Sequence, residues 1–479
     1  MSPSSETVEN VVLITVDSLR ADAISPYTSG VNTPTVERLA QEGTVFEKAF
    51  AHANWTPMSF PSILASRPVF ADTGTIGVSG LPTLAERLAD AGIATAGFNA
   101  ANGFLTAHWG YDEGFGDFEP FIEVEGDHKY SEFIAAHPTV AGWLQLAMSP
   151  FRKLRAKLGR HSEDVPFTDT SRLLDIERRA TSFLEDVDDE KPFFLWLHYM
   201  DAHTPYVPAP RYLRESAGSN LRFDRMIAAQ LRAGLGWTVG EETLSNLRTL
   251  YQGAVRQVDD SIDRLLSTLA EEGLADETAV LLTGDHGEEF MEHGHLAHYP
   301  KLYDELIHVP LVASIPGVGP GRVSEHVGLD AIAPTICELL DVDPSEEWAG
   351  DSFLSVVEGK GSPPADPVVS VTVRGEDITQ QPIPRSLEDG DLLVSARTGE
   401  WTYIENVETS ENELYHRHSD PDQLVDRSDD DDGRVRDVCT RFRAVVREHV
   451  AMLDTDDTES ESEDLDESIE KQLNALGYR

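Results

Sequence analysis

The apolar residues of this chain collect in short unbroken runs, separated by longer stretches where they recur every three or four positions. Val11 to Val16, Lys191 to Tyr199, Thr278 to Thr283 and Val309 to Ile315 are runs of strand length. A strand that is apolar at nearly every position has both faces buried, as in a parallel sheet covered by helices. Between the runs lie helical patterns. Thr35 to Glu42 has Pro34 near its first turn, Leu84 to Ala91 closes on Gly92, and Asp330 to Leu340 is apolar at helical spacing. A long helix is predicted over about Glu241 to Glu272, with Leu247, Leu250, Tyr251, Ala254, Val258, Ile262 and Leu265 on one face and Gly273 at its end. Thr44 to Phe50 and Ala94 to Phe98 read as further strands, and Pro57 to Ala65 as a loop entering a helix. Repeated βα units of this kind predict an α/β fold with a largely parallel sheet and helices on both faces.

The pattern changes twice. Residues of about 120–165 read as an insertion with a helix from Val140 to Leu158. After the Gly359-Lys360-Gly361-Ser362-Pro363-Pro364 linker, Val368 to Thr372, Leu392 to Arg397 and Glu400 to Ile404 look like short antiparallel strands, followed by a helix from Arg434 to Leu453. The expected organisation is a catalytic domain over 1–360 and a small antiparallel α+β subdomain over 365–453. An acidic, disordered run over 454–468 and a short terminal helix within 469–479 complete it.

Of the 479 residues 40% are hydrophobic, enough for one large core and a small one. Thirty-eight Lys and Arg against 85 Asp and Glu leave a net charge of −47, spread along the whole chain. That spread suits a solvated surface in a salt-rich, halophilic cytosol, where ions screen the repulsion. It argues against nucleic acid as a partner, since phosphate binding needs a basic face. Cys337 and Cys439 form neither a metal-ligand spacing nor a disulfide framework. No leader and no bilayer-spanning run is visible, so a soluble cytoplasmic protein is expected. One segment breaks the acidic pattern: Arg152, Lys153, Arg155, Lys157 and Arg160 follow Trp143, Leu144, Leu146, Met148 and Phe151. A basic amphipathic helix over 143–160 would suit a membrane surface, but a lid or partner helix whose charges meet nearby carboxylates is the favoured reading.

Candidate chemistry sits where the apolar runs stop. The first strand ends in Asp17, and Thr283-Gly284 leads into Asp285-His286, with His293, His295 and His298 close behind. Two strand-end carboxylates and an imidazole, far apart in sequence, suggest one divalent-cation site assembled by folding. Read singly, Asp17 serves equally as a turn cap and His286 as an ordinary loop residue. Metal-assisted ester cleavage also needs a nucleophile, and Thr56, Ser59 and Ser62 lie together before a helix. On local sequence alone Thr56 or Ser59 serves equally as an N-cap.

Taken together these segments resemble the sulfatase branch of the alkaline phosphatase superfamily. The resemblance rests on Val12 to Asp22, on Thr33 to Ala40, on Leu195 to Tyr206 with its His203-Thr204-Pro205-Tyr206 loop, and on Thr283 to Glu288. Leu302 to Leu311, Arg397 to Ile404 and Glu413-Leu414-Tyr415 add to it, so it spans nearly the whole chain. It implies an alkaline-phosphatase-like fold and one divalent ion, with Ca²⁺, Mg²⁺, Mn²⁺ and Zn²⁺ all open. Asp17, Asp285, His286 and Thr56 are its implied ligands. Thr56 is the implied nucleophile, acting as an alkoxide, and His203, His295 and His298 contact the anion or protonate the leaving group; His198 and His293 come after them.

This sequence departs from the formylglycine sulfatases. Aligning Ser62 to Ser66 with the family helix places Thr56, which cannot become formylglycine, at the nucleophile position; the competing register Ser59-Phe60-Pro61-Ser62 lacks the family Arg. Ser18 and His286 replace the usual second Asp and Asn. Threonine with Asp-His is closer to the phosphodiesterase, phosphonate hydrolase and phosphoglycerol transferase members. The expected activity is hydrolysis of a small sulfate or phosphate ester, such as a modified glycan or lipid head group. A phosphoglycerol or other head-group transferase and an inactive metal-binding homologue are the alternatives.

Overall fold

A computed structural model describes residues 8–71, 74–121, 172–188, 191–217, 225, 228–230, 239–361, 366–375 and 383–453. The expected insertion, its basic helix, most of the linker end, the acidic run and the terminal helix lie outside the described residues, apart from 120–121 and 359–361.

The strands are β1 (Asn10–Val16), β2 (Thr44–Phe50), β3 (Ala94–Asn99), β4 (Asp117–Glu119), β5 (Phe193–Tyr199), β6 (Thr278–Gly284), β7 (Glu289–Phe290), β8 (Leu296–Ala297), β9 (His308–Ser314), β10 (Gly321–Gly328), β11 (Val368–Arg374), β12 (Asp391–Arg397), β13 (Trp401–Asn406) and β14 (Asn412–His416). Eight of them form the main sheet in the order β10-β2-β9-β6-β1-β5-β3-β4. β9 is antiparallel to both of its neighbours, and the remaining pairings are parallel.

Alternation along β1 shows why its run is continuously apolar. Val12, Ile14 and Val16 pack into one core with the helices Pro34–Glu42, Leu173–Asp186 and Glu241–Glu271. Val11 and Leu13 pack into a second core with the helices Thr56–Ala65, Leu84–Asp90 and Ile332–Leu339. Side chains two positions apart share a face of a strand, so the sheet is buried on both sides. A cap ties two helices of the first layer together: Asp259, on Glu241–Glu271, accepts the N–H groups of Thr35 and Val36 at 3.2 and 2.9 Å.

The C-terminal sheet, β11-β12-β13-β14, is wholly antiparallel. The helix Gly433–Leu453 covers one face through Val435, Phe442 and Val446, in a core shared with Trp55, Met58 and Phe70. Its edge grips the chain just ahead of the helix Thr56–Ala65. Val371 N–H donates to His52 O at 2.8 Å, and Ser370 Oγ donates to Ala51 O at 2.7 Å. Five strands escaped the sequence pattern: β10, an edge strand with alternating exposure, and the short β4, β7, β8 and β14. Among the described residues, no helix is long and apolar enough to cross a membrane.

Candidate metal and nucleophile site

β6, β1 and β5 are adjacent, and their registers align Thr15 with both Thr283 and His198. Leu13 and Thr15 share a face, and so do Leu281 and Thr283, and Trp196 and His198. Continuing each strand by its two-residue period brings Asp17, Asp285 and His198 to the same face of the sheet at neighbouring strand ends. One ligand atom from each lies within 4.8 Å of the others, and all three residues are buried. Ser18 turns the chain away after Asp17 with φ 59, a conformation a non-glycine residue adopts only when its surroundings hold it there. In that turn its N–H donates to Asp285 Oδ1 at 3.2 Å. Gly284 and Gly287 flank the Asp-His pair because a Cβ would fall 2.4 Å from Leu19 O at the first and 2.0 Å from Glu305 O at the second.

Thr56 opens its helix over this cluster. Its Oγ1 donates to Asp17 Oδ2 at 3.2 Å and lies 3.3 Å from His286 Nε2. His286 Nδ1 is held by Gly287 O at 2.9 Å, which leaves Nε2 to face the site. Nε2 is also 3.7 Å from Asp17 Oδ1 and 3.7 Å from Asp285 Oδ2. Ser59 is turned the other way, donating to Asp285 O at 2.6 Å, and Ser62 donates to Arg67 O at 3.2 Å. Of the three hydroxyls in the segment, Thr56 is the one with contacts to both Asp17 and His286.

The electrostatics call for a cation. Burial and the Asp17 charge push Asp285 well above the ordinary carboxylate range. Burial would also raise Asp17, but the imidazoles of His203, His198 and His286 hold it below that range. His286 is pushed down to about 4 by burial and by His298. Asp285 Oδ2 and His198 Nε2 are buried without a hydrogen-bond partner. Two carboxylates, an imidazole and a hydroxyl spaced by 3.2 to 3.7 Å match the separation between ligands of a small four-coordinate cation, about 3.4 Å for bonds of about 2.1 Å. The donor set fits a divalent ion.

His298 lies beside this cradle, its ring 4.8 Å from His286 and 4.9 Å from His203. Burial lowers its pKa but Glu288, 3.1 Å from its Nδ1, raises it overall. His203 Nδ1 lies 2.6 Å from Thr204 O. His295 is placed on the β7–β8 hairpin, with its ring against Tyr299 at 5.5 Å and its N–H on Glu289 Oε1 at 2.7 Å, so it is not brought to the cluster by these contacts. His293 pairs with Glu305. Sequence reasoning ranked His198 below the others, although it is the polar position next to the end of an apolar strand, on the face that Trp196 shares. It also passed over Asn102, whose Nδ2 donates to Asp17 Oδ2 at 3.2 Å. Asn102 lies in the loop beyond β3, which ends at Asn99, so it lacks the strand-end position that marked Asp17.

A mostly parallel sheet with this cradle at its strand ends is the alkaline-phosphatase-like arrangement. The Agrobacterium radiobacter phosphonate monoester hydrolase superposes with a TM-score of 0.66 at 19% identity, covering 93% of this chain and 95% of that one. The chain is 24% identical to the uncharacterized sulfatase YidJ of Escherichia coli (strain K12), over 88% of this chain and 83% of that protein. It is 22% identical to the choline-sulfatase of Rhizobium meliloti (strain 1021), over 92% and 86%. A sequence model of the family described as Sulfatase matches residues 9–342, and the chain belongs to that family.

Proposed function

We propose that this chain hydrolyses a small sulfate or phosphate ester with Thr56 as its nucleophile. As a member of the sulfatase family it is a sulfuric or phosphoric ester hydrolase, and small anionic esters are its substrate class. The observation that carries the finer reading is the position of Thr56 Oγ1, 3.2 Å from Asp17 Oδ2 and 3.3 Å from His286 Nε2.

Asp17, Asp285, His286 and Thr56 would hold one divalent cation, with His198 as a further donor from the neighbouring strand. Bound there, the ion would offset the two carboxylates and lower the pKa of the threonine hydroxyl. The short donor spacing disfavours the larger Ca²⁺, and the imidazoles favour Mn²⁺ or Zn²⁺ over Mg²⁺. In the first step Thr56 Oγ1, its proton given up to solvent so that it acts as an alkoxide, forms a bond to sulfur or phosphorus. The bond to the departing oxygen breaks with its electron pair, and that oxygen takes a proton from an imidazole of the His203–His298 pair. In the second step water attacks the threonine ester, returns a proton to that imidazole and releases the inorganic anion, restoring Thr56. An alcohol in place of water would make the same site a head-group transferase, and transfer to added glycerol tests that variant.

The test is Thr56→Ala assayed on nitrophenyl sulfate, a phosphate monoester and a phosphodiester, each with the four candidate cations in turn. Turnover should fall by at least about 10⁴-fold while the variant still takes up the metal. Full activity in Thr56→Ala would exclude this nucleophile. Wild-type protein that loads metal yet turns over no ester would point to the binding homologue.

A further inference from the structure

Glu288 has no part in the cradle or in the nucleophile's contacts, yet it is fully buried two residues beyond His286. Two other segments meet on its carboxylate. Its Oε2 accepts from Nδ1 of His298, at 3.1 Å, and its Oε1 accepts the hydroxyl of Tyr206, from the loop that also carries His203. Its own backbone is fixed as well, with its N–H on Glu305 O at 3.0 Å and its carbonyl accepting Arg20 Nη1 at 2.9 Å. Asn54 Nδ2 donates to the His298 carbonyl at 3.0 Å, so that histidine is held at both backbone and ring. A carboxylate engaged at both oxygens is placed to orient a neighbour rather than to attack or to ligate.

We propose that Glu288, buttressed by Tyr206, is a positioning residue that keeps the hydrogen of His298 on Nδ1 and reserves Nε2 for proton exchange with the ester's departing oxygen. The inference rests on the reading above, in which an imidazole protonates the leaving group, and deepens it by assigning that task to His298. The Nδ1 of His203 faces instead the carbonyl of its own neighbour, Thr204, at 2.6 Å. A carboxylate behind an imidazole fixes both its tautomer and its angle of approach, a placement that matters most when the departing oxygen needs a proton.

The experiment measures kcat/KM for wild type, His298→Gln, Glu288→Gln, Tyr206→Phe and the His298→Gln/Glu288→Gln double variant. Aryl esters of the class the wild type turns over serve as substrates, running from dinitrophenyl, which leaves unaided, to phenyl, which needs a proton. Glu288→Gln should lose about 10- to 100-fold on the phenyl ester and little on the dinitrophenyl ester. Tyr206→Phe should shift the same way by less, and it carries the test if Glu288→Gln does not fold. The double variant should be no slower than His298→Gln alone. Equal losses across the ester series for both Glu288→Gln and Tyr206→Phe, or a double variant whose losses multiply, would overturn the proposal. If His298→Gln itself proves indifferent to the leaving group, the assignment of His298 fails and this inference with it. If His298→Gln is sensitive and Glu288→Gln uniform, the donor stands and only the role of Glu288 falls.

Discussion

Asp285→Asn should make the metal-free protein more stable, although it removes a candidate ligand. Asp17 and Asp285 are both fully buried, and the candidate ligand atoms lie within 4.8 Å of one another. At that separation two unit charges repel by about 3.5 kcal/mol for an effective dielectric of about 20. Escaping the repulsion by keeping Asp285 protonated at pH 7 costs about 4 kcal/mol relative to an ordinary carboxylic acid. Either way the metal-free fold carries a penalty of about 3 kcal/mol. Asparagine removes the charge, while its Oδ1 still accepts from Ser18 N–H and His286 N–H, now at 3.2 and 2.9 Å. In chelator, urea unfolding should therefore place Asp285→Asn about 3 kcal/mol above wild type. With cation at a thousand times its Kd, wild type should gain about 4 kcal/mol and Asp285→Asn much less, so the order reverses. A variant less stable than wild type in chelator, or a wild type indifferent to all four cations, would refute the argument that an ion offsets the repulsion between these carboxylates.

Two further outcomes test how the site is supported. His52 Nε2 pairs with Asp330 at 3.1 Å while its Nδ1 faces Val369 O at 2.8 Å, joining the two sheets near the nucleophile helix. Burial lowers the His52 pKa but Asp330 raises it overall, so its contribution is complete below about pH 6.5 and fades as the pH climbs through the raised value. The partner Asp330 is held low by His52 against burial, so that its share is lost only in acid. Unfolding of His52→Gln should accordingly show its largest deficit, about 3 kcal/mol, between about pH 4 and 6.5, and a deficit that grows above pH 8 would contradict the pairing. Lys301 Nζ meets both oxygens of buried Glu289, at 3.2 and 2.9 Å, and the carbonyl of His293. Lys301→Met should cost about 3–5 kcal/mol by stranding that carboxylate; Lys301→Met/Glu289→Leu should recover much of it, and no recovery in the double variant would count against the pair.

How much was legible depends on what each residue's surroundings leave in the sequence. β1 and β6 were readable because strands buried on both faces are apolar throughout, and a carboxylate at the end of such a run has few structural reasons to be there. Thr56 was separable from Ser59 only through the register of the downstream helix, and the hydrogen bond from Ser59 to Asp285 O gives that choice its physical basis. His198 sits one residue inside an apolar strand, where a histidine resembles any satisfied core group; only the pairing of β5 with β1 brings it beside Asp17. The reversed direction of β9 leaves no trace in composition, because an antiparallel strand buried on both faces carries the same apolar run as a parallel one. β10 was missed for the opposite reason: at the sheet edge its exposed Arg322, Ser324 and Glu325 break the run. His295 shares a histidine-rich stretch with His298, but a two-strand hairpin turns the two to different surroundings.

Acid-quenched turnover, followed by peptide mapping by mass spectrometry, tests the covalent step most directly. The structure predicts a phosphate or sulfate adduct on Thr56 that appears only with divalent cation and disappears in Thr56→Ala. An adduct on Ser59 or Ser62, or a pre-steady-state burst with Thr56 unmodified, would contradict it.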